Sequence, residues 1–216
     1  MSVSPDINSP LALKGRVLTF NSGPNDYDYW EKGCVVIENG VISAVGEVSS
    51  VTLPEDIRTI DHGDDLIVPG FIDGHVHYPQ MGVIASYGAK LIDWLNTYTF
   101  PEEAKFDDQE YAAATADFYL QESLKCGFTT AAVFCTSHPQ SVDAFFFTAE
   151  QYGLRMIAGK VLMDRHAPDN LKDTAQTGYD QSKALIEKWH NKGRSLYAIT
   201  PRFAPTSTPE QLEAAG

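Results

Sequence analysis

From Pro69-Gly70 onward, short apolar runs alternate with longer stretches in which apolar residues recur every three or four positions. This alternation constrains the fold more than any other feature. A strand, a helix and a further strand in repeated order make parallel βα units, because a parallel neighbour can be reached only by a long crossover. Residues 71–77 read as the first strand, and 106–126 contain its long helix. Residues 129–136 follow Gly127 as a second strand, with a helix at 141–152. A third strand at 155–163 leads to a helix at 180–191, and 196–203 reads as the fourth strand. Thr208-Pro209-Glu210-Gln211 then opens another helix, with Thr as N-cap, Pro in the first turn and Gln three residues on. The class is α/β. On periodicity alone, four βα units fit either a doubly wound sheet or half of a (β/α)8 barrel.

The residues before this switch have a different character. Leu13 to Phe20 is strand-like, and Cys34 to Glu38 meets Val41 to Val45 across Asn39-Gly40, a pair suited to the positive φ of a type I′ hairpin turn. Residues 57–60 and 66–68 would complete a small sheet. Residues 21–30, with their Gly, Pro, Asn and Asp, read as a loop over it. The expected domains are therefore 1–68, a small β domain, and 69–216, a βα domain.

Charge narrows the partners. Lys and Arg total 16 against 29 Asp and Glu, a formal net charge of -13. That balance repels phosphate backbones and anionic lipid surfaces, so neither nucleic acid nor a membrane is expected as partner. The first ten residues show no basic and apolar leader, and no apolar run is long enough to span a bilayer. Three cysteines without a C-x-x-C pair fit a reducing compartment, and the expectation is cytoplasmic.

His75 and His77 are the most informative pair. Residues i and i+2 of a strand point to one face, so both imidazoles would project together at the C-terminal end of the first parallel strand. Barrel enzymes build their sites at that end, and imidazole nitrogen is a preferred zinc ligand. The plain alternative is two surface histidines on a strand. Other polar candidates have structural readings: 164–166 as an ordinary loop, His138 as a helix entry, and His62 and His190 as solvated. Trp94, Tyr98 and Phe100 read as core or lid packing.

Val68-Pro69-Gly70-Phe71-Ile72-Asp73-Gly74-His75-Val76-His77 resembles the first barrel strand of the amidohydrolase superfamily. Several further segments are similar to the guanine deaminases within it: Tyr78-Pro79-Gln80, Leu95-Asn96-Thr97-Tyr98-Thr99-Phe100-Pro101-Glu102-Glu103, Lys105-Phe106, Gly159-Lys160-Val161-Leu162-Met163-Asp164 and Thr200-Pro201-Arg202-Phe203. The likeness runs from about residue 11 to the end and is densest over 69–99.

The resemblance implies the first half of a (β/α)8 TIM barrel, preceded by a small β-sandwich-type domain that the family builds from both termini. It implies Zn2+ as cofactor, with His75 and His77 as metal ligands. Gln80 would contact the bound purine, Arg202 would hydrogen-bond its polar edge, and Phe203 would lie beside the ring. The implied reaction is hydrolytic deamination of guanine to xanthine and ammonia in purine catabolism, by a homodimer. The remaining ligands, a proton-shuttling Glu and a base Asp are expected beyond Gly216, so no catalytic residue is expected within these residues. The chain is accordingly expected to be the N-terminal half of an enzyme. Alone it should be inactive and prone to associate, with Phe71, Val133 and Val161 facing a missing half of the barrel interior. Two other readings stay open: another zinc amidohydrolase acting on a purine-like or triazine ring, and a non-catalytic βα binding or assembly module.

Overall fold

The computed structural model describes residues 9–23, 25–88 and 90–216. The chain divides into two compact units between Pro69 and Gly70. In the first, β1 (Leu11–Gly23) pairs antiparallel with β2 (Asp26–Glu38), and β2 pairs antiparallel with β3 (Val41–Glu47). Asn39 and Gly40 take φ of 52° and 72° at the β2–β3 turn, as a type I′ turn demands. β4 (Arg58–Ile67) runs parallel to β1, giving one four-stranded sheet of order β3-β2-β1-β4. Ala12, Cys34 and Val36 form its buried side, covered by Val48, Val51, Leu53 and Ile57.

Two expectations for this unit need correction. Within the expected loop of residues 21–30, residues 21–23 and 26–30 are strand: β1 and β2 extend as a polar ribbon until Gly23 meets Asp26, and residue 24 lies outside the described residues. Such a ribbon satisfies its backbone without an apolar face. Here the Asn21 amide donates to Asp28 Oδ2 at 3.1 Å, and Tyr27 and Tyr29 stay exposed on a strand they favour. Residues 58–67 are likewise one strand rather than two runs. Its polar middle is held by Asp61, whose Oδ1 accepts from Gly63 N at 2.8 Å.

The second unit begins with β5 (Phe71–His77). A 3₁₀ turn, Tyr78–Val83, leads towards α1 (Leu91–Trp94). A π-helical turn, Leu95–Thr99, carries α1 into α2 (Phe100–Glu103). Asp108 then caps α3 (Gln109–Lys125), accepting from Glu110 N at 2.8 Å and Tyr111 N at 3.3 Å. There follow β6 (Phe128–Phe134), α4 (Pro139–Gln151), β7 (Arg155–Gly159), β8 (Val161–Leu162), α5 (Ala175–Trp189), β9 (Leu196–Tyr197), β10 (Thr200–Pro201) and α6 (Pro209–Ala215). β5, β6, β7 and β9 form a parallel sheet in that order, and β8 pairs in parallel with β10. The result is an α/β fold around a parallel sheet.

The third strand is broken at Lys160, whose N–H donates to Tyr197 Oη at 3.2 Å. α5 starts at Ala175, earlier than its apolar period suggests, because Thr174 and Thr177 form a capping box. The N-cap read at Thr208 is present, with Oγ1 accepting from Gln211 N at 3.2 Å.

Successive residues of β6 separate two cores. Ala131 and Val133, with Cys135 just beyond, pack with Leu120, Phe145, Phe146 and Met156 of the helices and β7. Phe134 instead joins Leu95, Phe100, Val161, Met163, Leu171 and Phe203. Val133, expected on the interior side with Val161, therefore faces the helices. Phe71 is 53% exposed and sits edge-on to Phe128. Among the described residues no helix is long and apolar enough to cross a membrane.

Candidate active site

The strand period brings His75 and His77 together. Their ring centroids are 5.2 Å apart, and both rings lie against Phe134, at 4.9 Å and 4.6 Å. Val76 between them turns the other way, into the helix-side core. Asp73 Oδ1 accepts from His75 N at 3.0 Å and holds the strand end just before the pair.

Burial, reinforced by Arg202 and His75, pushes His77 down to about 3. Its ring is therefore neutral near pH 7, with a lone pair available. His77 Nδ1 is buried and has no hydrogen-bond partner. An unsatisfied buried nitrogen costs about 1–3 kcal/mol unless something binds it. A neutral imidazole with an unspent nitrogen beside a second imidazole fits two positions of a zinc shell. Among the described residues, no group of three or more His, Cys, Asp and Glu gathers to hold a metal.

Three polar side chains meet at a second point. The Glu103 carboxylate is fully buried and takes both arms of Arg202, Nη1 to Oε2 at 2.5 Å and Nη2 to Oε1 at 3.0 Å. Gln80 Nε2 donates to the same Oε1 at 3.3 Å. The Arg202 guanidinium lies over the Phe100 ring at 5.3 Å. Arg202 N donates to Leu162 O at 3.2 Å, which ties its backbone to the third strand. Phe203 packs into the cluster that holds Phe100 and Phe134.

These residues lie at the C-terminal ends of two βα units, the first and the fourth. The histidines come from the end of β5, Gln80 from the turn after it, and Arg202 and Phe203 from just beyond β10. All five residues singled out in the sequence fall in this region. Phe100, read as packing, forms part of its floor.

Glu103 and Phe134 were not singled out. For Glu103 a signal existed: an arginine in an apolar pocket needs a carboxylate partner, because an unpaired buried charge is strongly destabilising. Phe134 carried no local signal beyond its place in a strand.

The remaining candidates have structural roles. Asp164 binds Thr208 through both the backbone N, at 2.8 Å, and the hydroxyl. Arg165 Nη2 donates to Ala204 O at 2.8 Å, and His166 Nδ1 lies 2.8 Å from Pro205 O. His190 is not simply solvated, since its Nδ1 accepts from Tyr197 N at 3.1 Å. His138 is partly buried, and burial lowers its pKa.

Residues 66–216 match the model of the amidohydrolase family. The chain belongs to the amidohydrolase family. Within it, the chain is 52% identical over 187 residues to the guanine deaminase of Escherichia coli K12, covering 86% of this chain and 43% of that protein. The solved structure of E. coli guanine deaminase superposes with a TM-score of 0.89 at 46% identity, over 96% of this chain and 49% of that one. Guanine deaminase from C. acetobutylicum, solved with guanine bound in its active site, superposes with a TM-score of 0.85 at 30% identity, over 96% and 49%. This amidohydrolase chain spans about half the length of the curated relatives it matches.

Proposed function

We propose that the protein is a zinc-dependent amidohydrolase that converts guanine and water to xanthine and ammonia, and that these 216 residues supply part of its site. One observation carries the reading: a pair of adjacent histidines and a buried, fork-to-fork arginine–carboxylate pair share one aromatic floor of Phe134, Phe100 and Phe203. A planar heterocycle that must be held by its polar edge beside a metal needs such a combination.

His75 and His77 would hold the metal through their ring nitrogens. Zinc bound there supplies Lewis acidity, which makes water a competent nucleophile near neutral pH. Arg202 would donate to the purine carbonyl edge through the N–H groups that Glu103 leaves free, and Gln80 would pair with a ring N–H. Phe203 would offer an apolar face to the ring. The remaining ligands, the proton-shuttling Glu and the base Asp are assigned to sequence beyond Gly216.

The same reading extends to architecture and setting. The βα units fit the first half of a (β/α)8 barrel, and the N-terminal sheet fits one layer of a β-sandwich-type domain. It extends to a homodimer in the cytoplasm serving purine catabolism, and the charge of -13 speaks against a nucleic-acid partner.

The test uses the protein at the full length of its relatives, with zinc measured by elemental analysis and guanine followed by its absorbance. About one zinc per chain and conversion to xanthine are expected, both abolished in His75→Ala/His77→Ala. A full-length protein that holds no zinc and leaves guanine unchanged refutes the reading.

A further inference from the structure

We infer that Glu103 is a positioning residue that decides which order of donors and acceptors the site can read. The inference rests on the functional reading above and deepens it. Glu103 lies in α2, in sequence far from Arg202, and its side chain is wholly buried.

A carboxylate can only accept hydrogen bonds. Gln80 must therefore turn its NH2 group towards Glu103, and it does, at 3.3 Å. That leaves the Gln80 carbonyl oxygen as the acceptor offered to a ligand. The same two carboxylate oxygens occupy one N–H on each Nη of Arg202, which fixes the guanidinium plane over Phe100. The ligand consequently meets an acceptor at Gln80 and donors at Arg202, in a set order.

A lactam edge, with a ring N–H beside a carbonyl, matches that order. An amidine edge, with an amine beside a bare ring nitrogen, presents donor and acceptor the other way round. A free glutamine amide could flip and serve either edge. One tied to Glu103 cannot, so Glu103 confers selectivity without touching the ligand.

The experiment measures inhibition of guanine turnover in the full-length holoenzyme by xanthine, a lactam, and by adenine, an amidine. It adds direct binding of both to metal-free protein by calorimetry. In Glu103→Gln, residue 103 becomes an amide and no longer dictates the orientation of Gln80. Xanthine binding and the KM for guanine should worsen on the order of tenfold, as for loss of a charge-assisted hydrogen bond. Adenine should change by less than about threefold, so that the preference collapses. The kcat should move less than the KM.

Glu103→Asp keeps the charge but withdraws it from Gln80 and should act in the same direction, which covers a folding failure of Glu103→Gln. A preference held within about twofold in the variant that folds, or parallel weakening of both ligands, overturns the inference. Arg202→Ala separates the two levels. If it leaves guanine KM untouched, the functional reading itself fails. If it weakens guanine while the Glu103 variants keep the preference, only the positioning role fails.

Discussion

The buried ion pair between Lys160 and Asp173 offers a quantitative test of the second unit. The Lys160 side chain is 0% exposed and that of Asp173 is 9% exposed. Besides Asp173, the ammonium donates to the Val161 carbonyl, at 3.4 Å. Burial lowers the pKa of Lys160 against the pull of Asp173, and burial raises that of Asp173. Both ions are held where neither is comfortable alone. Asp173→Ala should therefore lower unfolding free energy by about 3–5 kcal/mol, the usual cost of stranding a buried charge. Lys160→Met should cost less, because Asp173 sits at the edge of the buried region and can take up a proton. The double variant Lys160→Met/Asp173→Leu removes both desolvation penalties and should fall within about 2 kcal/mol of the parent, or exceed it. Urea denaturation followed by circular dichroism measures all three. An Asp173→Ala cost under about 1 kcal/mol would show that solvent reaches the ammonium, and the reasoning would be wrong.

Arg202→Ala should reduce kcat/KM for guanine by about ten- to a hundredfold while zinc content stays constant, by kinetics paired with elemental analysis. Thr208→Ala removes the cap of α6 and a partner of Asp164, and should cost about 1 kcal/mol in the same denaturation assay. His138 has a pKa lowered by burial, aided by Lys160 and opposed by Asp107. As pH falls through about 6.5 the unfolded chain takes its proton first, so stability should drop below that pH and the drop should shrink in His138→Gln.

The parts of the fold with a local cause were legible. Asn39-Gly40 set the hairpin through positive φ, Thr208 set a helix start through its hydroxyl, and the i, i+2 spacing placed both histidines on one face. Elements set by distant partners were not. Residues 21–23 and 26–30 look like a loop until their pairing across the ribbon is known, and the third strand looks continuous until Lys160 N meets Tyr197 Oη. Val133 was placed on the wrong face because β-branched character marks a strand but not its side. Glu103 stayed hidden for a related reason: its partner Arg202 lies in another βα unit. Only the electrostatic need of that arginine pointed to a carboxylate, and nothing near position 103 said which one.

The π-helical turn at Leu95–Thr99 has a consequence for evolution and engineering. An i→i+5 turn holds one more residue than an α-turn, so it advances the following helix by about 100° relative to an uninterrupted one. Phe100 and Glu103 begin and end the segment immediately after it. Removing a single residue from 95–99 would restore the ordinary helical phase. Trp94 would keep its bond to Ser86 O, at 3.1 Å, while the face bearing Glu103 rotated away from Arg202. Substitutions along this helix can thus be gradual in effect, whereas a one-residue change in its length acts like a dial turned by a full notch.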